Sequence, residues 1–169
     1  EQNTKTIIVT GSNKGVGYGV VDTLSQKPGW RIIMACRNVE LASKLLELIA
    51  KHPQALIEVE QLDVSSSESI KKFITTVADK YKHVDVLVNN AGIAWKGDTF
   101  NPEVVQTTFA TVCPSHNVEP DGTIELSEAV IPLLNDHGKI INVGSMIGKY
   151  HLLKNEEWKA KFSNPAITK

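Results

Sequence analysis

The chain has 169 residues, a length that suits one domain built around a single substantial hydrophobic core. Its formal net charge of -1 gives no electrostatic basis for binding nucleic acid or an acidic membrane surface, so a small-molecule ligand is favoured. Two cysteines, Cys36 and Cys113, cannot form a disulfide framework, and the sequence shows neither a leader nor a long apolar segment. We therefore expect a cytoplasmic setting.

Short apolar segments rich in β-branched residues alternate with longer amphipathic segments along the chain. Strands such as TIIVT and DVLVN are apolar on both faces, which is typical of a parallel sheet covered by helices on both sides. This alternation predicts a Rossmann-like, doubly wound α/β fold, with residues 1–169 forming one domain. The predicted strands are 6–10, 31–35, 56–63, 85–89 and 139–144, and the predicted helices are 16–27, 39–51, 67–82 and 123–135.

A glycine-rich segment, TGSNKGVG, joins the first predicted strand to the first helix. Gly11, Gly15 and Gly17 lack side chains, so the backbone there can approach a pyrophosphate, and the helix N-terminus can face it. In a Walker-type phosphate loop, a lysine follows the last glycine and precedes Ser or Thr. Lys14 precedes Gly15 instead, so this segment is not a Walker-type loop. The alternative is a glycine-rich turn required only for packing.

The end of the second predicted strand indicates which dinucleotide would bind. An NAD site usually carries an acidic residue about 20 residues after the glycines, whereas an arginine there suits the 2′-phosphate of NADP. The sequence MACRN places Arg37 at that point, and Lys14 adds a second positive charge from the glycine-rich segment. NADP(H) is therefore the expected cofactor, unless Arg37 is only a solvated residue that opens the next helix.

Four ordered motifs together resemble the short-chain dehydrogenases/reductases, and among them the NADPH-dependent carbonyl reductases. TGSNKGVG is similar to their cofactor loop, LDV (62–64) to the turn that contacts adenine, DVLVNNAG (85–92) to their fourth strand, and KIINVGS to the strand that ends in the catalytic serine. The resemblance covers residues 6 to about 148. It implies an NADP-dependent oxidoreductase that reduces a small-molecule carbonyl compound.

The resemblance also implies roles for individual positions. Asn13, Lys14 and Val16 would line the phosphates, Arg37 the 2′-phosphate, Asp63 and Val64 the adenine, and the segment 90–92 the adenosine ribose and the nicotinamide side. The same segment has a structural alternative, since Asn89 to Gly92 can cap the fourth strand. The complete set of expected cofactor residues is Gly11, Asn13, Lys14, Gly15, Val16, Gly17, Arg37, Asp63, Val64, Asn90, Ala91 and Gly92.

The resemblance makes Ser145 the residue that hydrogen-bonds the substrate carbonyl. A Tyr-x-x-x-Lys pair, in which lysine lowers the phenol pKa from about 10, is the family's usual proton donor. Tyr150 and Lys154 have this spacing, but Tyr150 follows Ser145 sooner than the family places its tyrosine. Carbonyl reductases place that tyrosine beyond a helical insertion, and residues 149–169 resemble the start of such an insertion. We therefore expect that Tyr150 and Lys154 are not the catalytic pair.

A second departure from the family lies between Val112 and Asp121. Val112 occupies the position of the family's helical asparagine, with Asn117 a weak substitute, and Pro114 and Pro120 are incompatible with the interior of one continuous helix. Cys113 and His116 have C-x-x-H spacing, but two ligands without partners do not make a zinc site, so no metal is expected.

Three functional hypotheses follow. The first is an NADPH-dependent carbonyl reductase-like enzyme, here in an incomplete or divergent form that lacks the family's C-terminal strands. The second is a non-catalytic nucleotide-binding or partner-binding domain that kept the cofactor loop. The third, a methyltransferase-like α/β domain, gives no role to the NNAG segment.

Without further strands, the 139–144 segment would be an open apolar sheet edge, which predicts self-association or coverage by residues 149–169.

Overall fold

A computed structural model describes residues 4–49, 55–92, 122–144 and 154–164. Parallel strands and helices alternate through most of these residues, and none of the described helices is long and apolar enough to cross a membrane. The strands are β1 (Lys5–Thr10), β2 (Trp30–Cys36), β3 (Leu56–Gln61), β4 (Val84–Asn89) and β5 (Leu134–Asn142). The helices are α1 (Gly15–Ser25), α2 (Val39–Ile49), α3 (Ser67–Lys80), α4 (Gly122–Val130) and α5 (Glu156–Phe162).

The five strands form one parallel sheet in the order β3-β2-β1-β4-β5. This order confirms the predicted doubly wound α/β fold. The chain runs outward from β1 through β2 to β3 and then crosses back to pair β4 with β1. Such a reversal opens a crevice at the carboxyl ends of the strands, between the two halves of the sheet.

Two hydrophobic layers cover the sheet, one on each face. One layer packs α3 and α4 against it through residues such as Phe73, Val77 and Leu126. The other packs α1 and α2 against the opposite face, around Val21, Ile32 and Met34. The central strands are therefore buried on both faces, which explains why their sequences show no alternation of polar and apolar residues.

The boundaries near β5 differ from the prediction. The predicted helix 123–135 was too long, because α4 ends at Val130 and a 3-10 turn over Ile131–Leu133 follows. Pro132 lies in that turn, and proline supplies no backbone N–H to continue an α-helix. β5 begins at Leu134 instead of residue 139, but its register with β4 breaks before Lys139, where His137 has φ of 66°. Regular pairing then runs from Lys139 to Asn142.

A polar network joins the β3 edge of the sheet to the end of α3. The Tyr81 hydroxyl lies 2.8 Å from Glu60 Oε1 and 2.9 Å from Glu58 Oε2, so its proton serves two carboxylates. Lys80 Nζ donates to the same Glu60 oxygen over 2.7 Å, and the Arg31 guanidinium lies 5.8 Å from the centre of the Tyr81 ring. Burial, and then the hydrogen bonds with Glu60 and Glu58, raise the pKa of Tyr81 far above its ordinary value.

This network predicts a stability loss at high pH. The raised pKa keeps the Tyr81 proton in the folded protein at pH values where the unfolded chain has released it. The network's contribution is therefore complete below about pH 10 and is lost as the pH rises towards the folded-state pKa. Tyr81→Phe should lower the free energy of unfolding by about 1–3 kcal/mol at neutral pH and flatten its decline above about pH 10. Urea unfolding between neutral and alkaline pH measures both effects.

Tyr18→Phe is the matched control for this prediction, because Tyr18 packs on the opposite face of the sheet. The free energy of unfolding of Tyr18→Phe should change with pH in the same way as that of the unmodified chain. If Tyr81→Phe also left the alkaline decline unchanged, the hydroxyl would not be the group that links stability to pH.

Candidate functional site

A cleft of about 390 Å³ lies at the carboxyl ends of β1, β2, β3 and β4. Each of these strands contributes the segment that follows it. Eleven of the twelve predicted cofactor residues line the cleft, and they are Gly11, Asn13, Lys14, Gly15, Val16, Arg37, Asp63, Val64, Asn90, Ala91 and Gly92. Positions that are up to 81 residues apart in sequence are thus brought to one surface because parallel strands end at the same edge of the sheet.

Gly11 begins the segment between β1 and α1 and needs to be glycine for two reasons. Its φ is 63°, in the left-handed region, and a Cβ there would lie 2.8 Å from the Ala91 Cα. Its N–H donates to the Ala35 carbonyl at 2.8 Å, which ties the turn to the neighbouring strand β2. The backbone therefore passes close to the segment after β4.

Gly17, the twelfth predicted residue, does not line the cleft. It is buried beneath the turn, where a Cβ would collide with the Asn90 side-chain amide and lie 2.8 Å from the Gly11 carbonyl oxygen. Gly17 instead permits α1 to pack directly under the glycine-rich segment. In the described structure Gly17 thus supports the cleft through packing, and its expected place beside a ligand stays a prediction.

The N-terminus of α1 opens onto the cleft without a capping side chain. Lys14 is the cap residue, with an extended backbone and no side-chain hydrogen bond to the helix. Gly15 and Val16, the first helical residues, line the cleft, and Val16 is 65% exposed. Uncapped N–H groups and the positive end of the helix dipole together favour an anion at this point.

Thr10, at the end of β1, connects the glycine-rich segment to the segment after β4. Its side chain is buried, and Oγ1 accepts hydrogen bonds from the N–H of Asn90 at 3.0 Å and of Ala91 at 2.9 Å. The hydroxyl donates to the Val88 carbonyl at 3.3 Å. A second hydrogen bond joins the same two residues, because the side-chain Nδ2 of Asn90 donates to the Thr10 backbone carbonyl at 2.9 Å. Sequence analysis overlooked Thr10, although its place before Gly11 at a central strand end was a usable signal.

Arg37 lies exposed at the rim of the cleft, directly after β2, and Lys14 is exposed on the same cleft. The turn that carries Arg37 is held on both sides. Cys36 Sγ donates to the Asn38 carbonyl at 3.4 Å, and Asn38 Oδ1 accepts from the Leu41 N–H at 2.9 Å, which caps α2. Burial raises the pKa of the Cys36 thiol, so this cysteine is protonated and structural rather than nucleophilic.

Asp63 and Val64 form the wall of the cleft after β3. The Asp63 N–H donates to Ser69 Oγ at 2.9 Å, and Asp63 Oδ1 accepts from the N–H of Ser65 at 3.0 Å and from its hydroxyl at 2.7 Å. Ser66 caps α3 by accepting from the Ser69 N–H at 3.3 Å. The wall is therefore attached to the first turn of α3.

A buried amide joins the ends of β4 and β5. Asn89 Nδ2 donates to Asn142 Oδ1 at 2.8 Å and to Ser127 Oγ at 2.9 Å, and Ser127 in turn donates to the Thr123 carbonyl at 2.7 Å. These contacts link both strand ends to α4. Sequence analysis treated Asn89 only as a cap of β4, because neither Ser127 nor Asn142 belongs to a motif that announces the contact.

Of the predicted catalytic residues, the described part of the chain contains only Lys154. Ser145 and Tyr150 lie outside the described residues, as do Cys113, His116 and the whole 112–121 departure. Lys154 is exposed, two residues before α5. The expectation that Tyr150 and Lys154 are not a catalytic pair thus stays a prediction.

The sheet order and the cleft at its reversal point define a doubly wound α/β protein with a ligand site on the carboxyl edge. Comparison with known families narrows this class. The sequence model of the short chain dehydrogenase family matches residues 5–160. The chain belongs to the short-chain dehydrogenase family, as its four motifs predicted.

Individual relatives agree with this assignment. Carbonyl reductase (NADPH) 1 of Mus musculus is 31% identical over 163 residues, which cover 95% of this chain and 56% of the mouse protein. A metagenomic short-chain oxidoreductase solved in complex with NADP is 28% identical, with a TM-score of 0.71 over 88% of this chain and 66% of that one. Menthone neomenthol reductase from Mentha piperita shares the fold, with a TM-score of 0.79 at 24% identity, covering 96% of this chain and 68% of that one. The chain spans little more than half the length of the carbonyl reductases that it matches.

Proposed function

We propose that this chain binds NADP(H) and functions as an oxidoreductase in the NADPH-dependent reduction of small-molecule carbonyl compounds. The observation that carries the proposal is the cleft itself, where the uncapped N-terminus of α1 and two cationic side chains, Lys14 and Arg37, border one cavity. The names of the mouse carbonyl reductase and of the metagenomic NADP complex support the same cofactor and reaction class.

The described residues fit the parts of this dinucleotide. Gly11 to Val16 would hold the pyrophosphate, because the missing side chains and the α1 N-terminus leave room and positive potential for it. Arg37, with Lys14 beside the cleft, would bind the 2′-phosphate by charge-assisted hydrogen bonds. Asp63 and Val64 would border adenine, and the segment 90–92, held by Thr10, would support the ribose and nicotinamide side.

NADPH supplies a hydride when it is bound, and the remaining requirement is a group that polarises and protonates the carbonyl oxygen. We propose Ser145 as the hydrogen-bond donor to that oxygen, since it comes three residues after β5 in the sequence and β5 ends at the carboxyl edge of the sheet. We propose that Tyr150 is not the proton donor, because it follows Ser145 more closely than the family's tyrosine does.

Cofactor binding tests the first half of the proposal. The unmodified chain should bind NADPH more tightly than NADH, because only NADPH carries the 2′-phosphate that Arg37 and Lys14 can neutralise. Fluorescence titration with each reduced cofactor gives the two dissociation constants. Equal constants would contradict the proposed role of the cationic pair.

Turnover tests the second half. We expect this chain alone to reduce dicarbonyls or quinones very poorly, and Tyr150→Phe to change that rate little. A phenol that acts as general acid contributes roughly two or more orders of magnitude to the rate, so the substitution is discriminating. NADPH oxidation, followed by the loss of the absorbance of reduced nicotinamide, measures both rates. A robust rate that Tyr150→Phe abolishes would show that Tyr150 and Lys154 are the catalytic pair after all.

A second candidate function is a non-catalytic nucleotide-binding or partner-binding domain. The observation in its favour is the 112–121 departure, which puts Val112 where the family has its asparagine and introduces Pro114 and Pro120. NADPH binding without turnover of any carbonyl compound would support this candidate. The two assays above therefore separate it from the enzyme.

Among the described strands, β5 forms one edge of the sheet, which supports the predicted self-association. β5 is the last strand of the described sheet on its side, and Ile141 and Val143 are 47% and 45% exposed. An apolar strand with an unpaired edge recruits a covering segment, either a strand of a second copy or the tail formed by residues 149–169 of the same chain. We therefore propose that one of these two segments covers the β5 edge. We also propose that residues 1–169 act as one domain.

Analytical ultracentrifugation distinguishes the two coverings of the β5 edge. If copies associate there, Ile141→Lys should shift the chain to monomer, because a buried lysine would be desolvated at the contact. Ile131→Lys is the matched control, since Ile131 is exposed but lies in the 3-10 turn before β5. A monomer whose β5 amides exchange freely with solvent would contradict both coverings.

A further inference from the structure

The first residue of α4 packs directly against the wall of the cleft that follows β3. Gly122 is buried, and a Cβ on it would fall on the carbonyl oxygen of Val64 and 3.3 Å from the Val64 Cα. The obstacle is backbone, which cannot rotate away as the end of a long side chain can. Any residue larger than glycine at this position must therefore displace either α4 or Val64.

The Val64 wall has little freedom to yield without changing shape. On its other side, Asp63 is attached to α3 through its N–H bond to Ser69 Oγ at 2.9 Å, and the Asp63 carbonyl accepts from the Ser66 N–H at 3.1 Å. The wall is thus confined between α3 and α4. A displacement of Val64 would be transmitted to Asp63, which also lines the cleft.

Helix α4 is also attached at two points. Glu125 Oε2 accepts from the Ser67 hydroxyl at 2.7 Å, which joins the first turn of α4 to the first turn of α3. Two residues further on, Ser127 Oγ accepts from the buried Asn89 side-chain amide at 2.9 Å. Because α4 is fixed to both α3 and the end of β4, a side chain at residue 122 would act mainly on Val64.

We propose that Gly122, together with the Ser67–Glu125 hydrogen bond, positions the adenine-facing wall of the cleft. This inference rests on the proposed NADP(H) function and adds a residue that lies outside the glycine-rich segment and does not itself line the cleft. Gly122 acts through Val64 and Asp63, so it is a positioning residue. Its role concerns the adenosine half of the cofactor and not the nicotinamide half.

Gly122→Ala tests this inference through ligands that represent each half. We expect the dissociation constants of NADPH and of adenosine 2′,5′-bisphosphate to rise by roughly 10- to 100-fold, because a misplacement of about 1 Å can cost up to about 100-fold. Binding of reduced nicotinamide mononucleotide, followed by NMR at high ligand concentration, should stay unchanged. Gly19→Ala is the matched control, since a Cβ on Gly19 meets nothing within 4 Å.

Two further variants test the same wall without introducing a clash. Glu125→Ala removes the acceptor of the Ser67 hydroxyl and should weaken adenosine 2′,5′-bisphosphate several-fold, whereas Glu125→Gln keeps a carbonyl acceptor and should restore binding. These variants decide the matter if Gly122→Ala does not fold. A purely structural role would weaken both half-ligands equally and would not be rescued by glutamine.

The outcomes separate this inference from the proposed function. If the unmodified chain binds NADPH and adenosine 2′,5′-bisphosphate, and Gly122→Ala and Glu125→Ala bind the bisphosphate equally well, the inference is overturned and the proposed function stands. If the unmodified chain binds neither ligand, the proposed function fails and this inference fails with it.

Discussion

Arg37→Asp should remove most of the preference for NADPH over NADH. A charge-assisted phosphate contact contributes on the order of 1.5–3 kcal/mol, which corresponds to roughly a 10- to 150-fold change in dissociation constant. Aspartate also adds a carboxylate that can accept from the 2′-hydroxyl of NADH while repelling the phosphate of NADPH. The ratio of the two dissociation constants, measured by fluorescence titration, should therefore fall towards one or invert.

Lys27→Asp is the matched control for Arg37→Asp, because it makes the same change of charge at an exposed residue after α1 that does not line the cleft. It should leave the cofactor preference intact. A preference that survived Arg37→Asp would assign the 2′-phosphate to another cation, and Lys14→Ala would then be the next variant to measure.

Thr10→Val should have the largest effect on stability. Valine keeps the shape of threonine but removes the oxygen that accepts from the N–H groups of Asn90 and Ala91. Each backbone donor left without a partner costs about 1–3 kcal/mol, so the free energy of unfolding should fall by roughly 2–6 kcal/mol. Because the same bonds hold the segment 90–92 against the glycine-rich segment, NADPH affinity should fall as well. Urea unfolding and cofactor titration measure the two losses.

Thr10→Ser is the control for the hydroxyl, since it removes only the methyl group and keeps the acceptor. It should retain both the hydrogen bonds and most of the NADPH affinity. If Thr10→Val were as stable as Thr10→Ser, water would be satisfying the two N–H groups, and the connection between β1 and β4 would contribute little.

The fold and the lining of the cleft could be predicted because both depend on local patterns. Apolar strands such as TIIVT and DVLVN identify a sheet covered on both faces, and TGSNKGVG identifies the turn that opens it. The boundaries were harder to predict where a single residue interrupts a pattern. Pro132 ends α4 early, and the irregular pairing before Lys139 lets β5 begin at Leu134.

The sequence by itself determined the class of fold through its periodicity, and its four motifs indicated the family and, through that resemblance, the residues that surround the cleft. Only the tertiary structure decided which of those residues face the cavity and which support it. Gly17 supports the cavity from beneath, and Thr10, Asn89 and Gly122 act through partners that are 38 to 81 residues away along the chain. Contacts of that kind depend on how strands and helices pack in space, and no pattern of neighbouring residues encodes them.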